Sequence, residues 1–212
     1  VLQRRNLHKT YTKGLIALGA NVASPAGSPA ETLAAALSGL DGEGMRITAV
    51  SRFYRTPCMP AGAGPDFVNA VAAIETTLPP AAVLARLHEV EAAFGRTRTV
   101  RWAARTLDLD LLDLGGTVLP DADTQTAWRT LPPEAQAQHA PPALILPHPR
   151  LQDRAFVLVP LAEVAPDWQH PILGMTAQQM LQVLPDSEKA PILPIFGPWA
   201  DLSALVKAFD SQ

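Results

Sequence analysis

The chain has 212 residues, of which 48% are hydrophobic and 17% charged, with 21 prolines and a net charge of −3 at neutral pH. This composition excludes a disordered chain, and the negative balance leaves no global basic field to draw in a nucleic acid. A single cysteine, Cys58, permits no internal disulfide and fits a reducing compartment. No apolar run approaches the roughly 20 residues of a membrane span, and no apolar stretch follows the basic start "VLQRRNLHKTYTK". The expectation is therefore a soluble, cytoplasmic protein without a signal peptide.

In chain order, "GLIALGA" (Gly14 to Ala20) reads as a buried strand ended by Gly19. A helix follows, with Ser28 as N-cap, Pro29 at its first position, Glu31 in its first turn and Leu33, Leu37 and Leu40 on its buried stripe. "MRITAVSRFYRT" alternates as one strand, with Ile47, Ala49, Ser51 and Phe53 on one side. After a loop from Pro57 to Pro65, strand character returns from Phe67 to Glu75. "PPAAVLARLHEVEAAFG" predicts a second helix that buries Val83, Leu87, Val90 and Phe94 and stops at Gly95. On its other side His88 and Glu91, at i and i+3, read equally as a solvated face or a site. A basic segment from Arg96 to Arg105 leads into a last strand, "TLDLDLL". The order βαββαβ is that of a ferredoxin-like α/β sandwich with helices on one face.

Beyond this core, residues 117–142 read as a polar, proline-containing insertion. The prolines between Pro120 and Pro149, and between Pro185 and Pro198, predict extended loops or tails rather than core elements. "ALILPHPR" is expected to hold a short strand. "DRAFVLVPLAEVAP" is expected to form a helix entered near Asp153, distorted by Pro160 and ended by Pro166, and "TAQQMLQVL" another short helix. Ile192, Ile195, Phe196 and Trp199 predict that the tail from Pro185 packs on the body.

The last strand holds the sharpest signal. Leu107, Leu109 and Leu111 share one face, and Thr106, Asp108 and Asp110 the other, which sets two like charges roughly 6–7 Å apart. Two readings stay open: a half-exposed strand whose aspartates face water, or a pair that holds divalent cations bridging a triphosphate. Arg96, Arg98, Arg101 and Arg105 just ahead, and His148 and Arg154 later, supply the positive groups that phosphoryl transfer needs. There is no G-x-x-x-x-G-K-[ST] loop, so a nucleotide would be held by side chains and metal. Trp102, in a polar loop, suits stacking or gating better than core burial. Phe67 and Asn69 either stack on and read a flat heterocycle, or are a core aromatic and a strand-edge polar residue. Cys58 has no evident catalytic partner.

Together "RWAARTLDLDLLDLGG", "LPHPRLQDRAFVLVPLAEVAP", "SRFYRTP" and "GPDFVNAV" resemble the 6-hydroxymethyl-7,8-dihydropterin pyrophosphokinases of folate biosynthesis, from about Leu15 to Pro166. The resemblance implies a ferredoxin-like fold and transfer of pyrophosphate from ATP to the pterin hydroxymethyl group, with release of AMP. It implies Asp108 and Asp110 as ligands of two Mg²⁺ ions, and Arg96, Arg98, Trp102 and Arg105 as further catalytic residues. His88, Glu91, Arg98, Arg105, Leu111, His148 and Arg154 fall at ATP positions. Thr56, Pro57, Met59, Phe67, Asn69, Trp102 and Phe156 fall at pterin positions, with Phe67 and Phe156 on either side of the ring.

The chain departs from the family pattern at Ala103 and Ala104, where Gly-Pro is usual, and at His88, where glutamine is common. The expected organisation is a pyrophosphokinase domain over 14–184, an N-terminal extension over 1–13 that is in part a cloning remnant, and a tail over 185–212 packed on the domain. The expected partners are small molecules, ATP and the pterin, with neither nucleic acid nor membrane, and the chain is expected to be a monomer. A palm-like nucleotidyltransferase shares the fold class and the metal-binding carboxylates. An RNA-binding module shares the fold, although an aromatic content of 6% and the negative charge argue against it.

Overall fold

The computed structural model describes residues 10–42, 44–58, 62, 64–95, 105–132, 134–135 and 139–195. Arg96, Arg98, Arg101, Trp102, Ala103, Ala104, Met59, Phe196 and Trp199 lie outside the described residues. The core runs β1 (Thr12–Ala20), α1 (Pro29–Leu40), β2 (Met45–Val50), β3 (Tyr54–Thr56), β4 (Phe67–Thr76), α2 (Pro80–Ala93) and β5 (Asp108–Leu114). The sheet is antiparallel, with β5 and β4 flanking β1 and with both β2 and β3 pairing β4. This is the ferredoxin-like arrangement, and the chain belongs to the α/β class.

The elements form where their local chemistry favours them. Ser28 caps α1 in a reciprocal capping box with Glu31, with Pro29 at the first position. Leu33, Leu37 and Leu40 are buried as the helical period requires. Against them and Val83, Leu87 and Val90 of α2 pack Ile16 and Leu18 of β1 and Leu109 and Leu111 of β5.

The predicted single strand over residues 45–56 is instead two strands. Ser51 turns inward at the break: its N–H donates to the Val71 carbonyl at 2.9 Å, and its Oγ accepts the Val71 N–H at 3.0 Å. A side chain thereby replaces a ladder hydrogen bond. The register also shifts between Ile47 and Ala49, so Val50, not Ala49, joins Ile47 against the core.

The helices do not all lie on one face. The α4 helix (Ala155–Val164) and the α5 helix (Ala177–Val183) cover the opposite side through a second cluster of Leu15, Val71, Leu112, Val157, Leu158 and Leu161. Strand alternation sends Leu112 to this cluster and Leu109 and Leu111 to the other, and a bulge opposite Leu15 and Ile16 brings Leu114 back to the side of Leu109 and Leu111. The α4 helix runs through Pro160 without a break, although that proline offers no N–H to the Phe156 carbonyl.

Within the predicted loop region lies a helix, α3 (Ala122–Thr130). It contains no proline, Asp121 caps it by accepting the Thr124 N–H at 2.8 Å, and buried Gln125 ties it to the Pro147 carbonyl at 3.0 Å. The short strand expected in "ALILPHPR" reduces to one bridge, Leu119 to Leu146. After the short α6 (Asp186–Lys189), β6 (Leu193–Pro194) pairs with the outer edge of β3, and the Ile195 N–H donates to the Phe53 carbonyl at 2.8 Å.

Candidate active site

In β5, Asp108 stands opposite Gly19 and Asp110 opposite Ala17. Leu109 and Leu111 bury themselves under α1 and α2, so strand alternation turns both carboxylates to the other face, where α4 begins. Both aspartates are half-buried. The Arg105 guanidinium pairs with Asp108. Arg154, at the N-terminal boundary of α4, feels the charges of Asp110 and Asp108, and burial and Arg150 oppose its charge. Two acids and three guanidinium groups thus share one end of the sheet.

His148 joins them. Its N–H donates to the Leu112 carbonyl at 2.8 Å, and its Nδ1 accepts the Arg150 N–H at 3.1 Å, which leaves the ring proton on Nε2. Burial and then the Arg154 charge hold its pKa down to about 3, against the pull of Asp108. His148 is therefore neutral near pH 7.

Glu91 is not on a solvated face. It is 2% exposed, and its Oε1 accepts the Leu109 N–H at 2.8 Å, between the two aspartates in sequence. The carboxylate seals the free edge of β5 and so fixes the strand that carries Asp108 and Asp110. His88, one turn earlier in α2, is half-buried. Leu111 has its side chain in the first core cluster.

On the same face Asn69 Nδ2 donates to Thr56 Oγ1 at 2.6 Å, across the β3–β4 pair. Both residues are buried, Phe67 is half-buried and Pro57 is exposed. Phe156 is 38% exposed at the start of α4, with the Arg154 guanidinium 5.6 Å from its ring centroid. The structure thus brings Thr56, Phe67, Asn69, Asp108 and Asp110 to one face of the sheet, under the end of α4 that carries Arg154 and Phe156.

Three features escaped the sequence reading. Gly19, read as a strand stop, is paired with Asn69, and a Cβ there would lie 2.8 Å from Asn69 Oδ1. Arg150, visible in "PHPR", acts on both His148 and Arg154. Tyr54 and Arg52 converge on Glu163 of α4, through a 2.6 Å bond from the Tyr54 hydroxyl and a 3.0 Å bond from Arg52 Nε. No local spacing signals that last contact, because its partners lie on different elements.

The family described as 7,8-dihydro-6-hydroxymethylpterin-pyrophosphokinase matches residues 15–166. Among curated relatives named 2-amino-4-hydroxy-6-hydroxymethyldihydropteridine pyrophosphokinase, that of Methylorubrum extorquens is 37% identical over 83% of this chain and 96% of its own. That of Pseudomonas aeruginosa is 39% identical over 74% of this chain and 82% of its own. Among solved structures, a triple mutant of Plasmodium falciparum HPPK-DHPS with pteroate superposes at a TM-score of 0.60 with 12% identity, covering 91% of this chain. The match spans 48% of that solved chain, and the likeness speaks to the fold. With most of its length matched by the family and by relatives of similar size, the chain belongs to the 7,8-dihydro-6-hydroxymethylpterin-pyrophosphokinase family.

Proposed function

We propose that the chain transfers the pyrophosphoryl group of ATP to the hydroxymethyl oxygen of 6-hydroxymethyl-7,8-dihydropterin, giving AMP and the pterin diphosphate in tetrahydrofolate synthesis. The observation that carries this reading is the shared face: Asp108 and Asp110 with Arg154 at one part, Asn69 bonded to Thr56 at another. A phosphate chain and a flat heterocycle need those two surroundings side by side.

The donor set fits Mg²⁺. Among the described residues no third acid, cysteine or histidine joins Asp108 and Asp110 as a metal group. Two carboxylates leave most of an octahedral shell to water and phosphate oxygens, which is how Mg²⁺ is usually held. Two such ions, when bound, would neutralise the phosphate charge that builds up during transfer.

The side chains divide the remaining work. Arg105 and Arg154 present guanidinium groups to phosphate oxygens, and neutral His148 offers its Nε2–H as a donor. By the family resemblance Arg96 and Arg98 act with them in catalysis and Trp102 acts in catalysis and pterin binding, while His88, Glu91 and Leu111 serve the nucleotide. Asn69 and Thr56 read the hydrogen-bonding edge of the pterin, Phe67 and Phe156 hold its faces, and Pro57 and Met59 border it. The hydroxyl oxygen attacks the β-phosphorus in line, and the bond to the α-phosphate oxygen breaks to release AMP. The chain acts as a cytosolic monomer on small molecules.

The test is product analysis with purified protein, ATP, Mg²⁺ and 6-hydroxymethyl-7,8-dihydropterin. Pterin-dependent AMP and a diphosphorylated pterin are expected. Release of pyrophosphate with the nucleoside retained on an acceptor would replace this reading with nucleotidyl transfer.

A further inference from the structure

Asn21 follows the last residue of β1 and is 5% exposed. Its carboxamide uses both ends. Oδ1 accepts the N–H of Arg105, 84 residues away, at 2.7 Å, and Nδ2 donates to the carbonyl of Pro65, 44 residues away, at 3.3 Å. Its own N–H donates to the Arg105 carbonyl at 3.0 Å, so one residue grips both main-chain groups of Arg105. The Arg105 side chain pairs with Asp108. Pro65 ends the proline-rich loop just before Phe67, the first residue of β4 and two positions from Asn69.

We infer that Asn21 is a positioning residue that holds Arg105 on the phosphate side and Pro65 on the pterin side at a set separation. The inference rests on the function proposed above and adds a residue outside the expected site. A carboxamide offers an acceptor and a donor from one short planar group at any pH. Aspartate keeps the acceptor for Arg105 but sets a carboxylate oxygen against the Pro65 carbonyl. Alanine removes both arms. In-line transfer makes the separation matter, since a displacement of about 1 Å can cost about 10² in rate.

The experiment compares the full-length wild type with Asn21→Asp and Asn21→Ala by steady-state kinetics and by amide hydrogen exchange at Arg105. Asn21→Asp is expected to raise the KM for the pterin about tenfold while the KM for ATP stays within about twofold, with the Arg105 amide still protected. Asn21→Ala is expected to raise the pterin KM as well, to lower kcat at least about tenfold and to speed exchange at Arg105. Wild-type kinetics in Asn21→Asp, or an equal rise in both KM values, overturns the inference. If Asn21→Ala does not fold, the KM split in Asn21→Asp decides alone. A wild type that forms no AMP would sink the functional reading instead, and exchange at Arg105 would still decide whether Asn21 holds it.

Discussion

Asp108 and Asp110 lie on one half-buried face, where Arg105 pairs with Asp108 and the charge of Arg154 is favoured by Asp110. Asp110→Ala removes a proposed metal ligand and a charge that favours the buried Arg154 guanidinium, so it should lower turnover by at least about 10³-fold while the protein still folds. Near-normal turnover would remove the metal assignment. Glu91 presents the reverse case. Glu91→Ala leaves the buried Leu109 N–H unpaired and should cost about 1–3 kcal/mol in urea denaturation, whereas Glu91→Gln keeps an acceptor and should cost less. A stable Glu91→Ala protein that has lost only ATP affinity would make Glu91 a nucleotide ligand and nothing else. The shared strand face of Asp108 and Asp110 was legible in the sequence; the bond that Glu91 accepts from Leu109 was not. Helical spacing places Glu91 beside His88, but only the approach of α2 to the edge of β5 turns its carboxylate to the Leu109 N–H.

Among the elements, β1 does more than form the centre of the sheet. Its penultimate residue, Gly19, faces Asn69 across the ladder, and the missing Cβ makes room for the amide proposed above to read the pterin. Gly19→Ala places a methyl group 2.8 Å from Asn69 Oδ1, so the amide must rotate away from Thr56. The expected outcome is a rise in pterin KM of at least about tenfold with little change in ATP KM, measured by initial rates. Unchanged pterin KM would show that Asn69 does not read the ring. The helices α1 and α2 were readable from caps and period, because those signals are local. The break between β2 and β3 was not, because the partner of Ser51 is Val71, twenty residues on. The same holds for α3: proline density argues for loop, yet the stretch between the prolines carries its own cap and finds an anchor at Pro147.

For the whole molecule, acid should be the weak side. His170 is fully buried, and its Nδ1 accepts the N–H groups of Ile172 and Leu173 at 3.2 Å each. Burial, and then the Arg129 charge, push its pKa down to about 4, and that of His148 lies near 3. An unfolded histidine titrates near about 6.5, so between that pH and 4 the unfolded chain binds more protons than the folded one. Stability is thus full above about pH 6.5 and is lost as pH falls toward 4. Asp113, raised by burial, works in the opposite direction over the lower part of this range. The Tm should fall steadily from pH 7 to pH 4, and His170→Asn, which keeps an acceptor at the Nδ1 position, should flatten the profile. A variant whose profile follows the wild type would show that His170 does not set it.

The sequence by itself determined the order of the core elements apart from the break between β2 and β3, the alternation that parts Asp108 and Asp110 from Leu107, Leu109 and Leu111, and the positions of the family's motifs. Each depends on neighbours within a few residues, where period, caps and turn chemistry act. Only the tertiary structure decided that a second layer, α4 and α5, covers the other sheet face and that Glu91 closes the edge of β5. Only it decided that Asn21 joins Arg105 to Pro65. Those are pairings between distant segments, and a buried polar atom takes whichever partner the packed backbone brings within hydrogen-bond reach.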